Sequence, residues 1–285
     1  MNTTARIQQG FTIALCLATL CCATEADDCA GMGRNPKERI SIRTDAERSV
    51  RNFTRFISAP LHMDKASYVV AGSLIGMTAL GSAGDRSIRH EAREETQNRM
   101  VGIISPWQFY GFSYIPSAIA ASVYIGGLGF SNDWLRETGR ECLVSLACAA
   151  LVTSSLKVTL GRERPNQNEG PFDSDPLSFR YENQSFPSAH TTLAFTLSTV
   201  LASRIRNQFA SIALYGAACM TAAQRVFSDS HWFTDVAAGA MIGTSSALFI
   251  VHDSEHSHAP LGHFPLHVAP FITGSGAGIG ISQAF

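Results

Sequence analysis

Two histidines in this 285-residue chain stand where apolar segments begin. His190 lies in SFPSAHTTLAF, residues 185–195. Pro187 and Ser188 form a helix start signal, since proline suits the first turn and serine caps it. A helix start exposes unpaired N–H groups and the positive end of the dipole, a setting suited to an anion. Ser188, the backbone amide of Ala189 and His190 would face that anion together. The second histidine is in QRVFSDSHWFTD, residues 224–235. His231 and Asp235 are four apart at the start of a segment, hence on one helical face. A carboxylate beside an imidazole fixes its tautomer and favours its charged form. A nucleophilic or general-base histidine requires that arrangement.

Fixed cations accompany both. In KVTLGRERP, residues 157–165, Lys157 and Arg164 follow an apolar segment, and Pro165 stops the helix. Arg225 ends another apolar segment. Each cluster alone has an ordinary explanation: a capping histidine, a basic helix end facing its dipole, a local His–Asp contact. Taken together, three cations and two imidazoles suit a phosphoryl group in flight, because phosphoryl transfer depends on positioning and electrostatics.

Composition limits the scaffold that must hold them. The net charge of −1 gives no electrostatic case for nucleic acid, and charged residues are sparse at 16%. Six weakly polar segments, about 66–84, 108–130, 139–156, 189–203, 208–224 and 235–251, lack strict alternation and read as helices. Their number and length suit membrane spans, whereas the mean hydropathy of +0.06 suits buried helices of a soluble bundle equally well. The expected fold is all-α: about six core helices, an N-terminal amphipathic arm and a short strand-like C-terminal tail. Residues 1–26 read as an export signal, with Arg6 ahead of a short apolar run. In the arm, 27–62, Thr44 and Glu47 form a capping box. The helix that follows puts Val50, Phe53, Phe56 and Ile57 on one side and Arg48, Arg51 and Arg55 on the other. Its apolar side fits a membrane surface or the protein's own core. Stretches 85–100 and 161–186 read as loops. Cys29, Cys142, Cys148 and Cys219 lack metal-type spacing and read as buried thiols, the last three within apolar helical runs. The tail, 253–285, is rich in His and Gly and ends in a hairpin or strand.

In order and spacing, Lys157…Arg164-Pro165, Pro187-Ser188-Ala189-His190 and Arg225…His231…Asp235 resemble the three-part signature of the type 2 phosphatidic acid phosphatase and vanadium haloperoxidase superfamily. The resemblance covers about residues 60–252. Ala189 replaces a usual glycine, and Gln224 a usual serine. The resemblance implies a helical phosphatase domain over 63–252. His231 would attack phosphorus to form a phosphohistidine, oriented by Asp235. His190 would protonate the leaving oxygen and later activate water. Lys157, Arg164, Ser188, Ala189 and Arg225 would hold the phosphate. No metal or cofactor is expected, because three cations already face the phosphate. The expected partner is a phosphorylated lipid or small phosphate ester at a membrane, with no nucleic acid. The expected location is the cell envelope, with the site facing the periplasm or exterior. The alternatives are a soluble envelope acid phosphatase, a vanadate-dependent haloperoxidase and a non-catalytic envelope protein.

Overall fold

A computed structural model describes residues 36–95, 100–167, 170–255, 266–273 and 276–283. The export segment at 1–26, Cys29 and most of the His-rich stretch lie outside these. Among the described residues, nine α-helices run in chain order: α1 (Pro36–Ser58), α2 (Lys65–Gly81), α3 (Asp85–Glu95), α4 (Met100–Ile104), α5 (Tyr114–Gly129), α6 (Asp133–Leu160), α7 (Ala189–Ile205), α8 (Gln208–Phe227) and α9 (Phe233–Glu255). An antiparallel hairpin of β1 (Leu266–Thr273) and β2 (Gly276–Gln283) follows, with Leu266 opposite Gln283. The all-α expectation and the hairpin at the tail are both met.

The core lies between α5, α6, α7 and α9, where Ala120, Cys142, Leu146, Leu193, Leu197, Val200, Ala247 and Val251 are buried together. Small residues let these helices approach closely. A Cβ on Gly243 would lie 2.3 Å from the Thr192 carbonyl oxygen, and one on Gly239 would lie 2.7 Å from that of Ser188. These two glycines, one turn apart, bring α9 against the start of α7. Gly127 and Gly139 do the same for α5 and α6.

Several local expectations change. α1 runs through Thr44 from Pro36, so Thr44 and Glu47 cap nothing. Its start lies further upstream, and Glu47 pairs with Arg43 one turn back. Phe53 and Phe56 pack on Val144, Cys148 and Ile250, while Arg48 and Arg55 pair with Glu137 and Asp253. The arm therefore lies along the bundle. The charged stretch expected as a loop is helix α3 over Asp85–Glu95, because its three arginines pack onto neighbouring loops instead of facing water alone. Cys219 is exposed, not buried. The helix stop near Pro165 comes earlier: Gly161 ends α6 in the left-handed conformation (φ 58°), where a side chain would run into the Asp175 backbone.

The two poles of the bundle differ. One, at the end of α6 and the starts of α7 and α9, holds the residues singled out above. The other is tied by ion pairs: Arg204 to buried Glu141, Arg140 to Glu137 and Asn52, and Asp253 to Asn52 and Arg55. Between them the surface is apolar. Three helical stretches, Ser67–Glu94, Asp133–Leu160 and Phe233–Glu255, are long and apolar enough to cross a membrane, and the bent pair Gly102–Gly111 with Tyr114–Gly129 makes a fourth. On α2, Val69, Ile75, Met77 and Leu80 are all exposed.

Replacing Gly243 by valine would force α9 off the α7 backbone. The expected cost is about 1–3 kcal/mol, read as a lower unfolding temperature in detergent micelles.

Candidate active site

Four chain segments converge at the first pole. The last turn of α6 supplies Lys157. Its ammonium donates to the Gln184 carbonyl at 2.6 Å, and the Ser185 carbonyl lies at 3.5 Å. After Gly161 the chain doubles back, and the segment from 162 to 188 is pinned by backbone bonds from Glu163 to Asp173, Asp175 to Gly161, Arg164 to Glu182 and Ser185 to Arg162. Arg164 then donates to the carbonyls of Tyr181 (3.1 Å), Ser230 (2.9 Å) and Gln184 (3.3 Å), with its guanidinium 4.0 Å from the Tyr181 ring. Arg225, in the last turn of α8, donates to the Ser230 hydroxyl at 2.7 Å. All three cations are buried. Their partners are carbonyls and hydroxyls: none of the three is within ion-pair distance of a described carboxylate.

The histidines share this pole. His190 sits in the first turn of α7, edge-on to the Phe112 ring at 5.1 Å. Gly111 has no room for a side chain, because a Cβ there would meet the His190 backbone and Cβ at 2.7–2.8 Å. His190 Nε2, Arg225 Nε and Gln224 Oε1 are buried with no hydrogen-bond partner. Ser188 caps α7 by backbone conformation, not by its side chain, which accepts from the Thr191 hydroxyl. Its N–H donates to the Asp235 carbonyl at 2.9 Å, joining the starts of α7 and α9.

His231 does not lie on a helix, as the spacing suggested. It precedes α9, in a turn where the N–H groups of Ser230 and His231 both bond the Arg225 carbonyl. Asp235 is in the first turn of α9. Its Oδ2 is 3.6 Å from His231 Nδ1, adjacent but beyond hydrogen-bond length. That oxygen accepts from the Ser185 hydroxyl and the Trp232 N–H, while Oδ1 accepts from Arg162.

Arg162 was not singled out in the sequence. It sits two residues before Arg164 in a run of charges and reads there as a solvated loop residue. The structure buries it between Asp235 and Asp85, 5.6 Å from the Trp232 ring. Asp85, Gly111 and Phe112 were missed too. They lie far from the motif in sequence, and only packing brings them near.

Burial and uncompensated charge act on the titrating groups. Burial, then Arg164, Lys157 and Arg225, push the His231 imidazole well below its ordinary 6.5, with the Ser185 backbone pulling weakly the other way. Burial, then Arg225, His231, Arg164 and Lys157, do the same to His190. Burial and Arg164 bring Arg225 down to about 10. The pole thus carries an excess of positive charge, which with burial disfavours the imidazolium form of both histidines.

A family model described as PAP2 superfamily matches residues 139–258, which hold both histidines, Asp235 and the three cations. A lipid A 1-phosphatase of Porphyromonas gingivalis is 27% identical over 130 residues. That match covers 44% of this chain and 26% of the relative's length. The transmembrane PAP2 type phosphatidylglycerolphosphate phosphatase of Bacillus subtilis has a similar fold (TM-score 0.50, 20% identity), over 73% of this chain and 96% of that one. Aquifex aeolicus LpxE matches 57% of this chain and 93% of its own, with a TM-score of 0.46 and 21% identity.

The depressed histidines give a sign-definite expectation. The unfolded chain takes up protons near 6.5, while the folded state resists them to lower pH. Unfolding therefore becomes easier as pH falls through and below 6.5. Inorganic phosphate, supplying negative charge to the pole, should recover part of that loss. Thermal unfolding against pH, with and without phosphate, checks both.

Proposed function

We propose that this protein is a phosphatase working without a metal, and that its substrate is a phosphorylated lipid. One observation carries the reading: three buried cations, with no described carboxylate within ion-pair distance, share one pole with two buried histidines. Burying unpaired positive charge is costly, and a phosphate dianion or monoanion offsets it. Helix-start amides of α7 at Ala189 and His190 add neutral donors.

In this reading Lys157, Arg164 and Arg225 hold the non-bridging oxygens, with Ser188 and the Ala189 amide beside them. His231 attacks phosphorus with its Nε2 lone pair as the bond to the leaving oxygen breaks. His190 donates a proton to that oxygen, so an alcohol departs. Because His190 is neutral in the free protein, the arriving anion must raise its affinity for a proton. A phosphate monoester carries such a proton below its second pKa of about 6. Water then attacks the phosphohistidine, His190 takes up the water's proton, and inorganic phosphate leaves. Asp235 lies against the face of His231 that gains positive charge. Gln224 and Ala189 take no part in proton transfer.

The lipid substrate follows from where the site lies. Lys157 is 20 residues along α6 from Glu137, about 30 Å at 1.5 Å per residue. Asp235 is 18 residues along α9 from Asp253, about 27 Å. Those separations approach the roughly 30 Å hydrocarbon thickness of a bilayer. With α6 and α9 spanning, the phosphate pocket lies in the head-group plane. The exposed apolar surface of α2 suits lipid contact and works against a soluble acid phosphatase. The 27% identity to a lipid A 1-phosphatase supports the same class. Export to the cell envelope, with this pole outside, rests on the pattern in residues 1–26, and the domain span 63–252 on the helices that enclose the pocket.

The test is phosphate release from an aryl phosphate and from phosphatidate micelles, in EDTA. Wild type should turn over both, phosphatidate the more efficiently. His231→Ala should lose on the order of a thousandfold or more in kcat. Acid-labile, base-stable radiolabel on wild type, absent from the variant, marks the phosphohistidine. Activity abolished by EDTA and restored by a divalent cation would sink the reading.

A further inference from the structure

Asp85 and Arg162 touch no phosphate in the reading above, yet their bonds lead to the nucleophile. All three nitrogens of the Arg162 guanidinium donate hydrogen bonds. Nε donates to the Pro171 carbonyl at 2.7 Å, Nη1 to the Thr234 hydroxyl at 2.8 Å and to Asp235 Oδ1, and Nη2 to Asp85 Oδ2 at 2.8 Å. Asp85 is 1% exposed. It also accepts from the Thr234 N–H at 3.1 Å and from the Thr234 hydroxyl. The result is one buried guanidinium between two buried carboxylates, at the base of the turn that carries His231.

Two consequences follow from that array. Arg162 claims Oδ1 of Asp235, so Oδ2 is the oxygen turned to His231 Nδ1. A planar fork can hold two carboxylates, a hydroxyl and a carbonyl at fixed angles, which an ammonium cannot. Asp85 also offsets the charge of Arg162. Without it, Arg162 would be offset by Asp235 alone, and the excess positive charge of the pole would rise by one. Asp85 opens α3, outside residues 139–258.

We propose that Asp85 and Arg162 are positioning residues, which orient the Asp235 carboxylate and through it the His231 ring, so that α3 is part of the catalytic unit. The proposal rests on the phosphatase reading for the identity of the nucleophile. The full chain in micelles, as Asp85→Asn and Arg162→Lys, provides the test. Asn retains the size of Asp and an acceptor for the Thr234 N–H. kcat should fall at least about tenfold, with KM within about twofold. In Asp85→Asn the acid limb of kcat should move to lower pH, because the uncovered Arg162 charge disfavours the imidazolium. If Asp85→Asn does not fold, Thr234→Val removes the hydroxyl both groups share and should give the same loss of kcat. Unchanged kcat in the folded variants overturns the proposal. So does a loss of kcat matched by the loss of folded protein at every pH, which would mark a purely structural role. If wild type itself releases no phosphate, the phosphatase reading fails instead. The His231 titration read by imidazole nitrogen NMR then decides alone: a downward shift in Asp85→Asn supports the coupling, and no shift overturns it.

Discussion

A lysine and two arginines buried at one pole, with carbonyls and hydroxyls as their nearest partners, set the terms for the rest of this fold. Carbonyls offset only part of the lost hydration. The surrounding chain is arranged to supply them: the segment from 162 to 188 returns across the end of α6 so that the carbonyls of Tyr181, Gln184 and Ser185 point inward. That return requires Gly161, since no side chain fits its left-handed turn against Asp175. Burial and then that field push both imidazoles well below their ordinary 6.5. In the proposed reaction a bound anion would favour their protonated forms, which would couple binding to proton supply.

Holding this charge in place demands rigidity from the apolar part of the bundle. Glycine contacts at 239 and 243 bring the α9 backbone onto α7, and the Ser188 N–H bond to the Asp235 carbonyl joins their first turns. The two histidines are thereby tied to each other through backbone, not through long side chains. At the far pole the Arg204–Glu141 and Asp253–Arg55 pairs fasten the opposite ends of the same helices. A tilt of α9 would disturb both poles at once.

The residues that meet at this pole were legible in the sequence because they fall into three short blocks, each at a helix end. Helix positions were legible too, since long weakly polar runs between turn signals have few alternatives. What escaped was set by contacts distant in sequence. Asp85 and Arg162 look like solvated charges in mixed-sign stretches, and only packing makes them a buried pair. Gly111 has no local mark of its contact with His190. The stretch 85–95 read as a loop because its charges disrupt the apolar period. Its helix is held by Asp85 bonding to Thr234 and by Arg89 and Arg93 bonding to Asp229, bonds that no periodicity encodes. The His231–Asp235 spacing suggested one helical face, whereas a turn before α9 presents the histidine.

The same contacts explain how α2 is attached. Its exposed apolar side chains give it little reason to pack on the protein. It meets the bundle at its end, where Gly81 and Ser82 press against Thr234 and Asp85 reaches Arg162 beyond them. A helix that is apolar all round satisfies its surface in lipid and keeps its polar anchor for one point. That point is the base of the turn bearing His231. The residues just after α2 carry the link: Ser82 meets Thr234, and Asp85, which opens α3, bonds Arg162 and through it the carboxylate beside the proposed nucleophile. Among the described residues, the buried core shared by α5, α6, α7 and α9 includes none from α2, so the helix depends on that polar junction for its place.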